Sequence, residues 1–294
     1  MQTSTQTPVR RLVESAILVA LATVLSLIKL ADLPYGGSVT CASMLPILLI
    51  AYRNGPLWGL GSGLVFSALQ LVTGLSVLSW VTGWKSVLAV IFLDYIFAFA
   101  VSGLGGIFRR KERSQATSLI LGALLVSGLR FVCHFISGVT VWRDISIPGG
   151  AAVVYSIVYN ATYMIPETIV LLIATLYIGS ILDFSYEIPR RFPSEARRKT
   201  SHSLLSFAVR LVTVGALMFD VAAIAKHLQD AETGKFTFSH MAEVSWNTVS
   251  IVSIVALLFC AVYFLFIDGI LREKRYVVRV AEEEERIAEE AAKR

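Results

Sequence analysis

Long apolar runs limit what this chain can become more than any motif does. Eight occur, at roughly 11–29, 39–52, 57–79, 86–108, 116–141, 151–182, 203–225 and 246–271. A helix needs about 20 mostly apolar residues to cross the hydrocarbon of a bilayer, rising about 1.5 Å per residue. Only 16% of the residues are charged and the mean hydropathy is +0.69, too little polar material to cover a water-soluble surface. The expected fold class is an all-α integral membrane protein, because a helix satisfies its backbone hydrogen bonds within its own segment. The second run is short and predicts a half-inserted or tilted helix. The sixth exceeds a straight crossing, so part of it is expected to project or to line a polar cavity. No small-residue cleavage site follows the first run, which is therefore read as a span rather than a removable signal.

The net charge of +5 reads as orientation rather than as affinity for nucleic acid. Arg10 and Arg11, Arg53, the Arg109–Arg113 stretch, the basic residues between Arg190 and Lys199, and Arg272–Arg275 fall on alternate connections between runs. The positive-inside rule then predicts a multi-pass protein of the cell membrane with both termini cytoplasmic, which an even number of spans allows. Four segments follow. Residues 1–185 form a six-helix membrane domain, and 186–202 a basic cytoplasmic linker containing two prolines. Residues 203–271 supply two additional transmembrane helices. Residues 272–294 form a charged cytoplasmic helical tail, with Glu282–Glu285 flanked by Arg279 and Arg286 for i,i+4 pairing.

Catalytic motifs are missing. Gly234-Lys235 lacks both the earlier glycine and the following hydroxyl of a phosphate-binding loop, and there is neither a His-Glu-x-x-His helix nor a Gly-x-Ser-x-Gly elbow. Cys41, Cys133 and Cys260 share no metal-ligand spacing. No catalytic residue, metal or cofactor is expected, and an enzyme is disfavoured.

Polar residues inside spans are costly and suggest function. They gather on three successive runs. Asp94-Tyr95 lies in the fourth. Arg130, His134 and Gly138 share one helical face of the fifth, with Trp142 beyond them. The sixth carries a drifting stripe of Tyr155, Tyr159 and Tyr163, with Asn160 and Glu167 on another face. Arg130 and Glu167 lie deeper, placed to pair with each other or to cap loose backbone. Trp80, Trp84 and Tyr35 stand at the same outer side. A carboxylate, an imidazole, an amide and several aromatic faces suit a flat, partly cationic, nitrogen-rich ligand. None of them demands covalent chemistry. For any single outer Trp or Tyr, a place in the interfacial belt is the simpler explanation.

These residues also carry a family likeness. The stretch Arg130-Phe-Val-Cys-His134-Phe-Ile-Ser-Gly138-Val-Thr-Val-Trp142, together with Tyr155-Ser-Ile-Val-Tyr-Asn160-Ala-Thr-Tyr-Met-Ile-Pro-Glu167, resembles the ThiT family. Its members are the thiamine-specific substrate-binding (S) components of energy-coupling factor (ECF) transporters. Leu93–Phe99, Gly36–Thr40 and Met44–Pro46 fit as well, so the resemblance spans roughly residues 10–182. It implies a six-helix S-component bundle with no cofactor of its own. The partners it implies are thiamine, a transmembrane ECF coupling subunit, two ATPase subunits and the lipid bilayer.

By the same resemblance, His134 and Trp142 bracket the ligand rings, and Trp142 stacks on the aminopyrimidine. Tyr155 and Asn160 hydrogen-bond polar groups. Asp94, with Tyr95 beside it, supplies negative charge, and Gly138 allows close approach to the helix backbone. Tyr35, Trp80, Trp84, Tyr163 and Glu167 are secondary ligand candidates. Ala16 and Ala20, one turn apart, are the candidate docking positions for the coupling subunit. The chain departs from the pattern at Asp94, where the family often has Glu, and in the two extra helices after residue 186.

The expected function is thus the substrate-binding membrane component of an ATP-driven thiamine uptake transporter. An S component for another vitamin or a thiamine precursor is the first alternative, and a structural or regulatory membrane protein that recruits partners is the second.

Overall fold

The computed structural model describes residues 7–33, 36–110, 114–143, 145, 152–192, 204–225, 227, 228 and 237–263. Tyr35, most of the predicted linker and the whole charged tail lie outside the described residues. The chain is an all-α multi-pass membrane protein. Its helices are α1 (Pro8–Leu27), α2 (Leu45–Asn54), α3 (Pro56–Thr73), α4 (Trp84–Phe108), α5 (Gln115–Thr140), α6 (Ala152–Ile181), α7 (Leu204–Ala225) and α8 (Trp246–Val262). Among the described residues, four helices, α3 to α6, are long and apolar enough to cross a bilayer by length and composition alone.

The segment 39–52 folds differently from a span. Between α1 and α2 the chain makes an antiparallel hairpin, β1 (Lys29–Asp32) with β2 (Ser38–Thr40). The apolar run therefore begins as a strand and becomes helical only at Leu45. The resulting α2 has 10 residues, about 15 Å at the helical rise, half of what a crossing needs. It is buried on nearly every side, from Leu45 to Arg53, and packs against α1, α3, α4 and α5. An internal half-helix and a short membrane span have the same composition, which is why sequence alone left the two open.

Small residues let the helices close around α2. A Cβ on Gly59 of α3 would collide with the Gly103 carbonyl oxygen of α4. Close backbone approach at small residues is the usual way membrane helices pack, since burying apolar surface gains nothing against lipid tails. Two hydrogen bonds fasten α1 to α3, from Trp58 Nε1 to Ser15 Oγ (2.7 Å) and from Gln70 Nε2 to Ser26 Oγ (2.8 Å). In contrast, Ala16 and Ala20 sit on the exposed face of α1.

The two ends of α2 have opposite chemistry. At its C-terminal end, Arg11 donates to the Asn54 carbonyl, and Arg109 to those of Tyr52 and Arg53. Those carbonyls are orphan acceptors at the negative end of the helix dipole, so cations stabilise them. Arg53 is itself buried and ion-pairs with Glu14, while Arg10 reaches Glu187 at 2.6 Å. At the other end, the hairpin and Met44 meet α5 and α6. The 30-residue α6, about 45 Å long, packs along α5 and holds β2 against its side.

After α6, α7 packs along α6 and touches β1, and α8 packs on α7. Asp220 of α7 accepts from Ser253 of α8, so its partner is the neighbouring added helix rather than the six-helix bundle. The side chain of Arg210 lies outside the described residues.

Candidate ligand site

A cavity of about 210 Å³ opens where the hairpin, α3, α4, α5 and α6 converge. This is smaller than the 300–1,000 Å³ typical of drug-sized ligands, a space that suits a small molecule.

The α4 helix is not uniform. Ile91–Phe97 is wound as a π-helix between α-helical turns. Such wide turns recur at functional sites, because the extra residue re-aims the side chains next to it. Here the π-turn carries Asp94 and Tyr95, both on the cavity wall.

Asp94 is the centre of the site. Its Oδ1 accepts from His134 Nδ1 at 2.9 Å, and its Oδ2 accepts from Ser137 Oγ at 2.6 Å and from Trp142 Nε1 at 3.0 Å. None of the three donors is a permanent cation, so they orient the carboxylate without a fixed opposing charge. A carboxylate offers only acceptors, so Nδ1 carries the proton in this contact. That leaves Nε2, which is buried with no hydrogen-bond partner among the described residues. A polar atom left so is costly. The arrangement is not a hydrolase relay, in which the serine donates to the imidazole. Ser137 and His134 both donate to the carboxylate instead.

The opposite wall is aromatic. Tyr163 meets His134 edge-on at 6.2 Å and Tyr159 at 5.8 Å. Tyr163 donates to Asn160 Oδ1 at 2.8 Å, while Asn160 Nδ2 donates to the Ser156 carbonyl at 2.9 Å. These bonds set which way the buried amide faces. The backbone N–H of Gly37 donates to the Tyr159 hydroxyl at 3.3 Å, and a Cβ there would press within 2.9 Å of both Tyr159 and Tyr163. Only glycine lets the hairpin come this close.

The floor is a buried ion pair. Arg130 Nη1 bonds Glu167 Oε2, and the other carboxylate oxygen accepts from Thr40 Oγ1 at 2.8 Å. The guanidinium also lies 4.6 Å over the ring of Phe99. The pair thereby ties α5, α6 and β2 together beneath the cavity.

The predicted residues thus fall in distinct places. Asp94, Tyr95, His134, Gly138, Trp142, Asn160 and Tyr163 line the cavity. Glu167 lies just beneath it as the partner of Arg130. Tyr155 does not line it and packs instead against the cluster that holds Val81, Val90, Tyr95 and Trp142. Trp80 and Trp84 are 58% and 70% exposed and stand outside it. Arg130 and Tyr159, named in the sequence clusters without an assigned ligand role, are wall residues, as is Gln70. Ser137 escaped sequence reasoning, although it lies one turn from His134, where a shared partner is possible. Among the described residues no three His, Cys, Asp or Glu side chains converge as a metal set.

A membrane bundle enclosing one small cavity, with a carboxylate facing aromatic rings, has the form of a membrane solute-binding protein. Comparison with known proteins gives the class its family. The thiamine transporter protein (Thia_YuaJ) model matches residues 12–183, more than half of the chain, and the chain belongs to that family. Among its relatives, the thiamine transporter ThiT of Bacillus subtilis (strain 168) is 36% identical over 171 residues, covering 54% of this chain and 85% of the relative. ThiT of Lacticaseibacillus paracasei is 25% identical over 181 residues, covering 55% and 83%. The family match ends where α6 ends, so α7 and α8 fall outside it.

Proposed function

We propose that this thiamine-transporter family member is a substrate-binding component that captures thiamine from the extracytoplasmic side and works with separate coupling and ATPase subunits. The observation that carries the reading is Asp94, held by three neutral-capable donors in a cavity walled by Trp142, His134 and Tyr163. Thiamine combines a cationic thiazolium with an aminopyrimidine. Asp94 attracts the cation, and the aromatic faces stack on the heterocycles. His134 Nε2 and the Asn160 amide meet the polar ring atoms. Tyr155 supports the packed cluster that contains Trp142.

The two ends of α2 support an orientation. Arg10, Arg11, Arg53 and Arg109 meet at the end away from the cavity, as cytoplasmic basic residues would. The cavity then lies toward the outside, with both termini in the cytoplasm. The six-helix unit to residue 185 forms the binding domain, and 203–271 the added pair of helices. Ala16 and Ala20, exposed on α1, allow close approach of a coupling subunit. Since the chain carries no phosphate-binding loop, ATP hydrolysis falls to partner subunits.

The test is reconstitution. Vesicles holding this chain with a coupling subunit and two ATPase subunits are expected to accumulate labelled thiamine only with ATP inside. Equal uptake by this chain alone would overturn the ATP-driven arrangement.

A further inference from the structure

The two-helix extension reaches the site from behind. Between α7 and α8, Phe238 lies against Tyr155 of α6, with ring centroids 4.8 Å apart and planes inclined at 31°. Tyr155 belongs in turn to the packed cluster of Trp142, Val81, Val90 and Tyr95. Trp142 then donates to Asp94. The extension is thereby joined to the packed cluster whose Trp142 bonds the central carboxylate.

The segment carrying Phe238 is fixed in place. Thr237 N–H donates to the Leu228 carbonyl at 2.8 Å, closing the connection at its base. His240 and Glu243 bond at 2.9 Å across the short 3₁₀ turn Ser239–Glu243, and Trp246 Nε1 donates to the Met241 carbonyl at 3.0 Å. Farther along, α7 packs on α6 and touches β1, two elements that also wall the cavity. The extension thus grips the site from its side as well as from its outer end.

We propose that the extension is a strap on the ligand site, with Phe238 as a positioning residue that holds Tyr155 against the packed cluster containing Trp142 and so slows ligand release. The proposal rests on the thiamine-binding reading for its ligand but not for its contacts. It explains why Tyr155, a ligand candidate by sequence, stands outside the cavity: the residue packs against the Trp142 cluster and its ring is met by Phe238. An aromatic pair of this kind acts mainly on the dissociation rate, where most affinity differences between related complexes arise.

The experiment uses the full chain in detergent, with Phe238→Ala and Phe238→Tyr. Thiamine release is followed by tryptophan fluorescence in a chase, and hydrogen–deuterium exchange is read for residues 152–159 without ligand. Phe238→Ala is expected to speed release about two- to tenfold, the range an aromatic pair supplies. It should also raise exchange in 152–159 while leaving 45–54 as protected as before. Phe238→Tyr, which keeps the ring, should restore both. In a chain that binds thiamine, unchanged release by Phe238→Ala overturns the proposal even if exchange rises. If the parent chain binds no thiamine, the functional reading fails, and the strap is judged by exchange alone: faster exchange that Tyr restores supports it, and unchanged exchange overturns it.

Discussion

His134 Nδ1 donates to Asp94 Oδ1 at 2.9 Å, across 40 residues of sequence and from one helix to the next. This bond turns two costly intramembrane residues into one oriented unit. It anchors the imidazole, directs Nε2 away from the carboxylate, and joins the π-turn of α4 to the Arg130–Gly138 face of α5. The remaining wall is arranged around this pair.

Trp142 has two separable roles, a ring face for stacking and an indole N–H for Asp94. Trp142→Phe should keep the first and lose the second, and Trp142→Ala should lose both. A hydrogen bond to a charged group contributes about 1.5–3 kcal/mol, so the Phe variant should bind thiamine about tenfold or more weakly. The Ala variant should bind more weakly still. Titration calorimetry reads both, and equal affinities would mean that the ring is not a stacking face.

Gly37 is where the hairpin meets Tyr159 and Tyr163. Gly37→Ala places a methyl within 2.9 Å of both, so the hairpin must retreat or the tyrosines must move into the cavity. Thiamine affinity should fall about tenfold or more, since small misplacements in a site are costly. The unliganded melting temperature should change little. An unaltered affinity would show that the hairpin does not shape the bound state.

Glu167 neutralises Arg130 beneath the cavity. Glu167→Ala leaves a buried guanidinium unpaired, which costs about 3–5 kcal/mol. The expected result is a chain of much lower thermal midpoint in detergent, with binding lost alongside. The double change Arg130→Met with Glu167→Leu should recover most of the stability, because a buried pair can often be replaced by apolar groups. No recovery would show that Thr40 and the hairpin depend on the carboxylate itself.

On α1, Ala20→Leu or Ala16→Leu enlarges an exposed face distant from the cavity. Thiamine binding by the isolated chain should be unchanged, while co-purification with the coupling subunit and ATP-driven uptake should fall. If uptake persists, docking uses another surface.

The long helices were legible because apolar length is read directly. The runs at 116–141 and 151–182 lie within a residue of α5 and α6 at each end. The Arg130, His134 and Gly138 face was legible from helical period combined with the cost of polarity in a membrane. The Arg130–Glu167 pairing was one of the two options left open for these residues. Other features depend on contacts distant in sequence. The strand at 38–40, Ser-Val-Thr, runs into the apolar segment after it with no proline or glycine to separate the two. The π-turn at 91–97 carries no proline or glycine to announce it. Trp80 and Trp84 have the composition of pocket aromatics and the exposure of interfacial ones. Tyr155 meets Phe238, 83 positions later, a contact no local pattern encodes.

The most direct measurement is calorimetric titration of thiamine into the purified full-length chain and its Asp94→Asn variant. Asn keeps most of the shape and removes the charge. The account predicts saturable binding at about one thiamine per chain, and an affinity about 10- to 100-fold weaker in the variant, the loss of one charged hydrogen-bonding partner. No heat of binding with the parent chain, or the same affinity in both, would contradict it.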